Sequence, residues 1–210
     1  DASDLPLYDE ACRRRESQRR PEWGRERHLG HAVNAAEHAV LESAFDIIIN
    51  SALEQPYRFV HRDYHSRNLL ALDDTHGDVA AGMLSNPGII DFQGAMLGPI
   101  TYDLASLLRD CYINWDNVRI AAWVEDYRQH LLDADLIDPD VDKATFQRWF
   151  DLIGLQRHIT VLGLFCRLAL RDGKPAYMAD LPRVLGYVLD VASRHADLTD
   201  LSDLLRRCVR

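Results

Sequence analysis

The chain has 210 residues, which is enough for one domain or one large lobe with a substantial core. Its formal net charge of −9 gives no support for a nucleic-acid partner. The apolar run at residues 47–49 has polar flanks and is too short to cross a membrane, so no membrane partner is expected. Four scattered cysteines without a CxxC pair predict a reduced, cytoplasmic protein.

The N-terminal part of the chain is predicted to be irregular at first and then helical. Prolines and glycines interrupt residues 1–30, which are predicted to be an approach segment. An apolar period close to 3.6 residues predicts a helix over residues 32–53. Three short strands follow at RFV, LLAL and GIID, with a turn-rich connector at 73–88 before the last of them. We expect these strands to form a small β-hairpin patch that lies on helices.

The rest of the chain is predicted to be helical. The stretch TYDLASLLRDCY begins a helix with Thr101 as its cap, and WDNVRIAAWVEDYRQHLLDA forms the next helix. Apolar residues at alternating spacings of three and four predict a long helix over 143–171. Two further helices are expected at about 180–195 and 198–208. The predicted fold class is α+β, mostly helical.

Charged and chargeable side chains crowd the stretch VHRDYHSRNLL at residues 60–70, between apolar flanks. Polar groups beside buried strand are costly unless they are paired or used. Asp63, Asn68 and Asp91 have the chemistry that phosphoryl transfer requires. One carboxylate is needed to accept a hydroxyl proton, and hard oxygen ligands are needed for Mg²⁺.

The pattern HRDYHSRN matches the kinase catalytic loop H-R-D-x-x-x-x-N, and IIDFQG resembles the DFG segment with Gln93 inserted before the glycine. His65 and the stretch GAMLGPITYDLASLL resemble the aminoglycoside phosphotransferase and choline kinase-like superfamily. The stretch LIGLQRHITVLGLFCRLALRDGKPAYMADLPR is similar to bacterial sugar kinases that phosphorylate the anomeric hydroxyl of N-acetylmuramic acid and N-acetylglucosamine in cell-wall recycling. The resemblance implies the C-terminal lobe of a protein-kinase-like fold, with ATP and Mg²⁺ as cofactors and a small-molecule sugar as partner.

The resemblance also implies roles for individual residues. Asp63 is the expected catalytic residue, and Asn68 and Asp91 are the expected metal ligands. His61 is expected to be structural and to bond backbone near Asp91, and Asp103 is expected to brace the catalytic loop.

Six further polar side chains are candidate contacts to the acceptor: Arg62, His65, Arg67, Gln156, Arg157 and His158. Arg62 either positions Asp63 or pairs elsewhere. Arg67 either binds a carboxylate or phosphate bidentately or is solvated. The three residues at 156–158 either line a sugar site or form a solvated helix face.

A complete kinase also needs a nucleotide lobe with a glycine-rich loop and a strand lysine. No such loop precedes Ala32, and the only lysines are Lys143 and Lys174. We therefore expect residues 31–210 to be the C-terminal catalytic lobe of a longer protein, inactive when isolated. Two alternatives remain, an aminoglycoside or other small-alcohol kinase and a non-catalytic binding lobe. Arginines near the site disfavour a polycationic aminoglycoside.

Overall fold

The computed structural model describes residues 5–8, 34–72, 86–170 and 172–208. Within these ranges the α-helices are α1 (Ala35–Leu53), α2 (Tyr102–Leu108), α3 (Asn117–Asp133), α4 (Lys143–Leu170), α5 (Leu181–Arg194) and α6 (Thr199–Cys208). The strands are β1 (Tyr57–Val60), β2 (Leu69–Leu70), β3 (Gly88–Ile89) and β4 (Met96–Pro99). The protein is mostly helical with small sheets, as predicted. Most of the predicted approach segment and of the connector lies outside the described residues.

Most of the helix predictions are confirmed, and α1 shows why its start differs from the prediction. The Asn34 side chain accepts the Glu37 amide proton at 3.0 Å, and the Glu37 carboxylate accepts that of Asn34 at 3.2 Å. This capping box satisfies two N–H groups that have no partner inside the helix, so α1 begins at Ala35 rather than at residue 32.

Thr101 is the N-cap residue of α2, as predicted, but its side chain does not cap the helix. Thr101 has a helical backbone conformation and makes no side-chain cap bond. Its hydroxyl instead donates to Oε1 of Gln55 at 2.7 Å, and its amide donates to the same oxygen at 3.3 Å. Both residues are buried, so this pairing removes the desolvation cost of their polar groups and ties α2 to the end of α1.

The strands form two separate antiparallel pairs rather than one patch. β1 pairs with β4, with Tyr57 opposite Pro99 and Val60 opposite Met96, and β2 pairs with β3. Strand β4 was not predicted from the sequence. Leu7 also forms a parallel bridge to Leu97, so a piece of the N-terminal segment lies beside β4.

The core consists of two clusters on either side of α4. The first is built from β1, β4, α2, α3 and the N-terminal half of α4, with Phe146, Phe150 and Ile153 among its buried residues. The second is built from α1, α5, α6 and the middle of α4, where Leu152 and Leu155 are fully buried. Helix α4 is therefore the central element of the protein.

Helix α4 is both long and apolar. Among the described residues, Lys143–Ala169 is the one helix long and apolar enough, by length and composition, to cross a membrane. Of its most apolar window, 47% is buried inside the protein. Its apolar side chains include Phe150 of the first core cluster and Leu152 and Leu155 of the second. The role of α4 in the core therefore accounts for its apolar composition.

A buried ion pair joins α4 to the residue that follows α2. Arg109 donates to Oδ1 of Asp151 at 2.6 Å, and these side chains are only 4% and 2% exposed. Arg194 and His195 approach the other carboxylate oxygen at 3.1 and 3.2 Å. Burial raises the pKa of Asp151, but the His195 hydrogen bond and the Arg109 charge outweigh it, so the pKa lies below its usual value.

Removing this carboxylate should be strongly destabilising, because it would leave the Arg109 guanidinium buried without a counter-charge. We expect Asp151→Ala to lower the free energy of unfolding by about 3–5 kcal/mol in urea titrations. Asp197→Ala is the matched control, since its pair with Arg148 has side chains 35% and 44% exposed. That variant should lose less than about 1 kcal/mol. Equal losses in the two variants would contradict the prediction.

Candidate active site

The 61–68 loop connects buried Val60, at the end of β1, to β2. It is folded by its own backbone: the His65 amide donates to the Asp63 carbonyl at 3.0 Å, and the Asn68 amide donates to the His65 carbonyl at 2.9 Å. Asp63 is exposed, and its carboxylate has no hydrogen-bond partner among the described residues. The carboxylate is therefore accessible to a group outside the loop.

Asp103, in the first turn of α2, binds the start of this loop. Its two carboxylate oxygens accept the backbone N–H groups of His61 at 2.6 Å and Arg62 at 3.0 Å. Burial raises the pKa of Asp103, although the two amide donors and the nearby Arg157 charge oppose that rise. Asp103 lies where the resemblance expects a residue that braces the loop.

Asp110, just beyond α2, binds the middle of the loop and was missed by the sequence analysis. Its Oδ2 accepts both the backbone amide of Ser66 at 3.0 Å and the Ser66 hydroxyl at 2.5 Å. Its Oδ1 accepts the Tyr112 amide at 2.9 Å. Asp110 is 2% exposed and follows Asp103 by seven residues, which is two helical turns. That spacing from Asp103 was the available signal.

His61 connects the loop to the segment that contains Asp91. Its Nε2 donates to the Ile90 carbonyl at 3.0 Å, and the Ile90 amide donates to the Asn68 carbonyl at 3.1 Å. The His61 side chain is 4% exposed. These two bonds place Asp91 next to the loop, although Asp91 lies 30 positions after His61 in the sequence.

Asn68 and Asp91 are brought together with Gln93. The Asn68 amide nitrogen donates to the Asp63 carbonyl at 2.8 Å and lies 3.4 Å from Oδ2 of Asp91. Gln93 donates to Oδ1 of Asp91 at 2.7 Å. The Asn68 amide oxygen is thus turned away from Asp63, and the exposed Asp91 carboxylate keeps acceptor sites beyond its two N–H donors. Hard oxygen donors of this kind fit a magnesium ion.

Backbone strain is concentrated at this site. Among the described residues, three non-glycine residues have a positive φ, and two of them are Arg62 at 74° and Asp91 at 69°. Arg62 directly precedes Asp63, and Asp91 supplies the second carboxylate of the site. Such conformations cost about 1–3 kcal/mol each and persist where the surroundings fix them. The hydrogen bonds described above supply that fixation.

The six candidate acceptor contacts fall into two groups. Arg67 is exposed, and its guanidinium lies 3.5 Å from the centre of the Tyr112 ring, which His65 contacts edge-on from 5.8 Å. Arg62 lies 5.9 Å from the ring of Tyr8. These three candidates belong to the 61–68 loop itself.

The other three candidates lie on α4, and burial rules out the solvated-face alternative for two of them. Gln156 is 3% exposed and donates to the Tyr8 hydroxyl at 3.1 Å. His158 is 2% exposed, donates to the Arg109 carbonyl at 2.9 Å and stacks on Tyr187. Arg157 is half-buried and donates to the Arg62 carbonyl at 2.8 Å. Of the three, Arg157 therefore touches the loop.

The fold and the site together define a class of protein. The model of the family described as "Phosphotransferase enzyme family" matches residues 2–144, and the chain belongs to this family.

Three curated relatives are similar over nearly the whole chain. They are called N-acetylmuramate/N-acetylglucosamine kinase in Pseudomonas putida (39% identical), Pseudomonas aeruginosa (40%) and Neisseria meningitidis (38%). The alignments cover 96% of this chain and 56–57% of the relatives, so the chain spans little more than half of their length.

The buried histidine behind the site gives a pH prediction. Burial lowers the pKa of His158 from 6.5 to about 3, so the imidazole is neutral in the folded protein at neutral pH. In the unfolded chain it takes up a proton below about pH 6.5, which favours unfolding. This contribution to stability is complete above that pH and is lost as the pH falls toward 3.

We expect the stability of the native protein, relative to that of His158→Gln, to fall by up to about 1.4 kcal/mol per pH unit between pH 6 and 4. Glutamine also donates to the Arg109 carbonyl but has no proton to gain. Between pH 7.5 and 8.5 the difference should be constant, which gives an internal control. Urea unfolding at each pH measures it, and a constant difference at all pH values would disprove the assignment.

Proposed function

We propose that the complete gene product is an ATP- and Mg²⁺-dependent sugar kinase that phosphorylates the anomeric hydroxyl of N-acetylmuramic acid and N-acetylglucosamine. In this proposal residues 31–210 are the C-terminal catalytic lobe of a kinase-like fold, and the small strands support its catalytic loop. A cytoplasmic location, where nucleoside triphosphates are available, belongs to the same proposal. The observation that supports the chemistry best is the exposed Asp63 on the same loop as Asn68, whose amide group lies beside the Asp91 carboxylate of the neighbouring segment.

Asp63 has the position required of the residue that orients and deprotonates the acceptor. It is exposed, and its backbone is fixed from both sides by Asp103 and Asp110. An anomeric hydroxyl is more acidic than an ordinary alcohol, which makes its proton easier to remove. Catalysis in this class consists mainly of positioning and electrostatic stabilisation.

Asn68 and Asp91 would hold the metal. The Asn68 amide nitrogen donates to the Asp63 carbonyl and lies 3.4 Å from Oδ2 of Asp91, so the Asn68 oxygen remains as a ligand and the Asp91 carboxylate lies beside the same amide group. When bound, Mg²⁺ would neutralise charge on the transferring phosphoryl group. A site with two protein ligands suits Mg²⁺, which usually keeps several waters and binds substrate phosphates.

Charge near the loop supports a neutral or anionic acceptor. The carboxylates of Asp103 and Asp110 accept backbone N–H groups and are largely removed from solvent, so they offer little to a polycation. Arg67 is exposed and is oriented by Tyr112. This arrangement argues against an aminoglycoside, and the names of the three relatives agree with an amino sugar.

The central test is Asp63→Asn in the complete gene product. Because only the proton acceptor is lost, kcat should fall by about 10²–10⁴-fold while the KM for ATP changes little. Coupled kinase assays measure both, and ³¹P NMR identifies the phosphorylated carbon. Asp133→Asn, an exposed carboxylate on α3, is the control. Unchanged turnover in Asp63→Asn, or a product phosphorylated at C6, would refute the proposal.

Comparing two sugars tests whether Arg67 binds a carboxylate of the acceptor. N-acetylmuramic acid has a lactyl carboxylate, and N-acetylglucosamine has none. If Arg67 binds that carboxylate, Arg67→Gln should raise the KM for the muramic sugar by about 10-fold or more and change that for N-acetylglucosamine by less than about 3-fold. Arg119→Gln, which changes an exposed arginine on α3, is the control. Equal changes for both sugars would exclude carboxylate binding by Arg67.

A further inference from the structure

We propose that Arg157 is a positioning residue for phosphoryl transfer, which holds the Arg62 carbonyl and thereby fixes the peptide group that presents Asp63. The inference rests on the proposed function. It also departs from the prediction that Arg157 contacts the acceptor. Its basis is the backbone of Arg62, the residue directly before the catalytic carboxylate.

Arg62 needs support from outside the loop. Its φ of 74° lies in the left-handed region, which non-glycine residues enter only at a cost of about 1–3 kcal/mol. Nothing in a free loop would keep an arginine there. Relaxation of this residue would rotate the following peptide group and move the Asp63 carboxylate.

Both polar groups of the Arg62 backbone are held by side chains from other elements. Its N–H donates to Asp103 on α2 at 3.0 Å, and its C=O accepts Nη1 of Arg157 on α4 at 2.8 Å. The carbonyl belongs to the same peptide group as the amide of Asp63. The bond from Arg157 therefore fixes the orientation of the peptide plane that leads into the catalytic residue, which the bond from Asp103 alone does not.

Arg157 is itself held in place. It lies on the central helix α4, is half-buried, and its guanidinium carbon is 4.9 Å from the centre of the Tyr102 ring. Tyr102 packs edge-on against Tyr8 at 5.4 Å, and both tyrosines belong to the core. A planar cation stacked on an aromatic ring has little freedom, so the donor is preorganised toward the carbonyl.

The experiment compares Arg157→Met, Arg157→Lys and Arg128→Met in the complete gene product. Methionine keeps much of the apolar stem but cannot donate to the carbonyl. Lysine keeps one donor. Arg128, on α3 and away from the loop, is the matched control. It is also partly buried, and its Nη1 donates to a backbone carbonyl, that of Val141, at 3.0 Å.

We expect Arg157→Met to lower kcat by about 10–100-fold, by the same factor for N-acetylmuramic acid and N-acetylglucosamine, with each KM within about 3-fold of the native value. A displacement of about 1 Å in a reacting group is sufficient for such a loss. The kcat of Arg157→Lys should be at least about 5-fold higher than that of Arg157→Met. Arg128→Met should keep the native kcat. A larger rise in KM for the muramic sugar alone, or an unchanged kcat, would overturn the proposal.

Hydrogen–deuterium exchange provides a readout that does not depend on the acceptor. In Arg157→Met the amides of His61 and Arg62 should exchange at least about 5-fold faster than in Arg128→Met, while α5 exchanges at the native rate. If the native protein phosphorylates neither sugar, the proposed function fails, and this measurement still decides the role of Arg157. If Arg157→Met does not fold, Arg157→Lys decides the question. The proposal would be overturned if Arg157→Lys turns over more slowly than the native protein while its His61 and Arg62 amides exchange at the native rate, with Arg128→Met native in both measurements.

Discussion

The site depends on one interaction, the binding of the 61–68 loop's backbone amides by two carboxylates, Asp103 in the first turn of α2 and Asp110 just beyond its end. Asp103 accepts the amides of His61 and Arg62, and Asp110 accepts that of Ser66. Charge-assisted hydrogen bonds of this kind are shorter and stronger than neutral ones. They hold a loop that includes a residue with positive φ, and they do so on both sides of Asp63. Without them the arrangement of Asp63, Asn68 and Asp91 would not be fixed.

The position of α2 is determined in turn by buried polar contacts with α1 and α4. Thr101, before the helix, binds Gln55 at the end of α1. Arg109, after it, pairs with Asp151 of α4, and the Arg109 carbonyl accepts a bond from His158, the residue that follows Arg157. Because unpaired buried polar groups are costly, each contact permits few alternative arrangements. Helix α4 thus organises the core and also supports the loop from a distance.

Sequence periodicity predicted the helices well, because the apolar faces of α1, α3, α4, α5 and α6 pack on the two core clusters. The motif predicted which residues meet at the site, since Asp63 and Asn68 lie on one loop and Asp91 follows a strand. Contacts between distant residues were not predictable in the same way. The pairing of β1 with β4, the partner of Thr101 and the burial of Gln156 and His158 all depend on tertiary packing, which overrides local pattern. Asp110 was within reach, because it follows Asp103 by seven residues, a spacing that would place both carboxylates on one face of the helix predicted from the sequence.

The spacing between Asp103, in the first turn of α2, and Asp110, just beyond its end, has a consequence for how this region can change in length. Each residue turns an α-helix by about 100°, so insertion or deletion of a single residue between Asp103 and Asp110 would turn one carboxylate away from the loop. Only a change by whole turns would preserve both directions, and it would alter their separation by about 5.4 Å per turn. The loop would then need a compensating change between Arg62 and Ser66, where Asp63 lies. Helix and loop are therefore tied in length, and we expect changes in chain length to be tolerated only in the connections outside them.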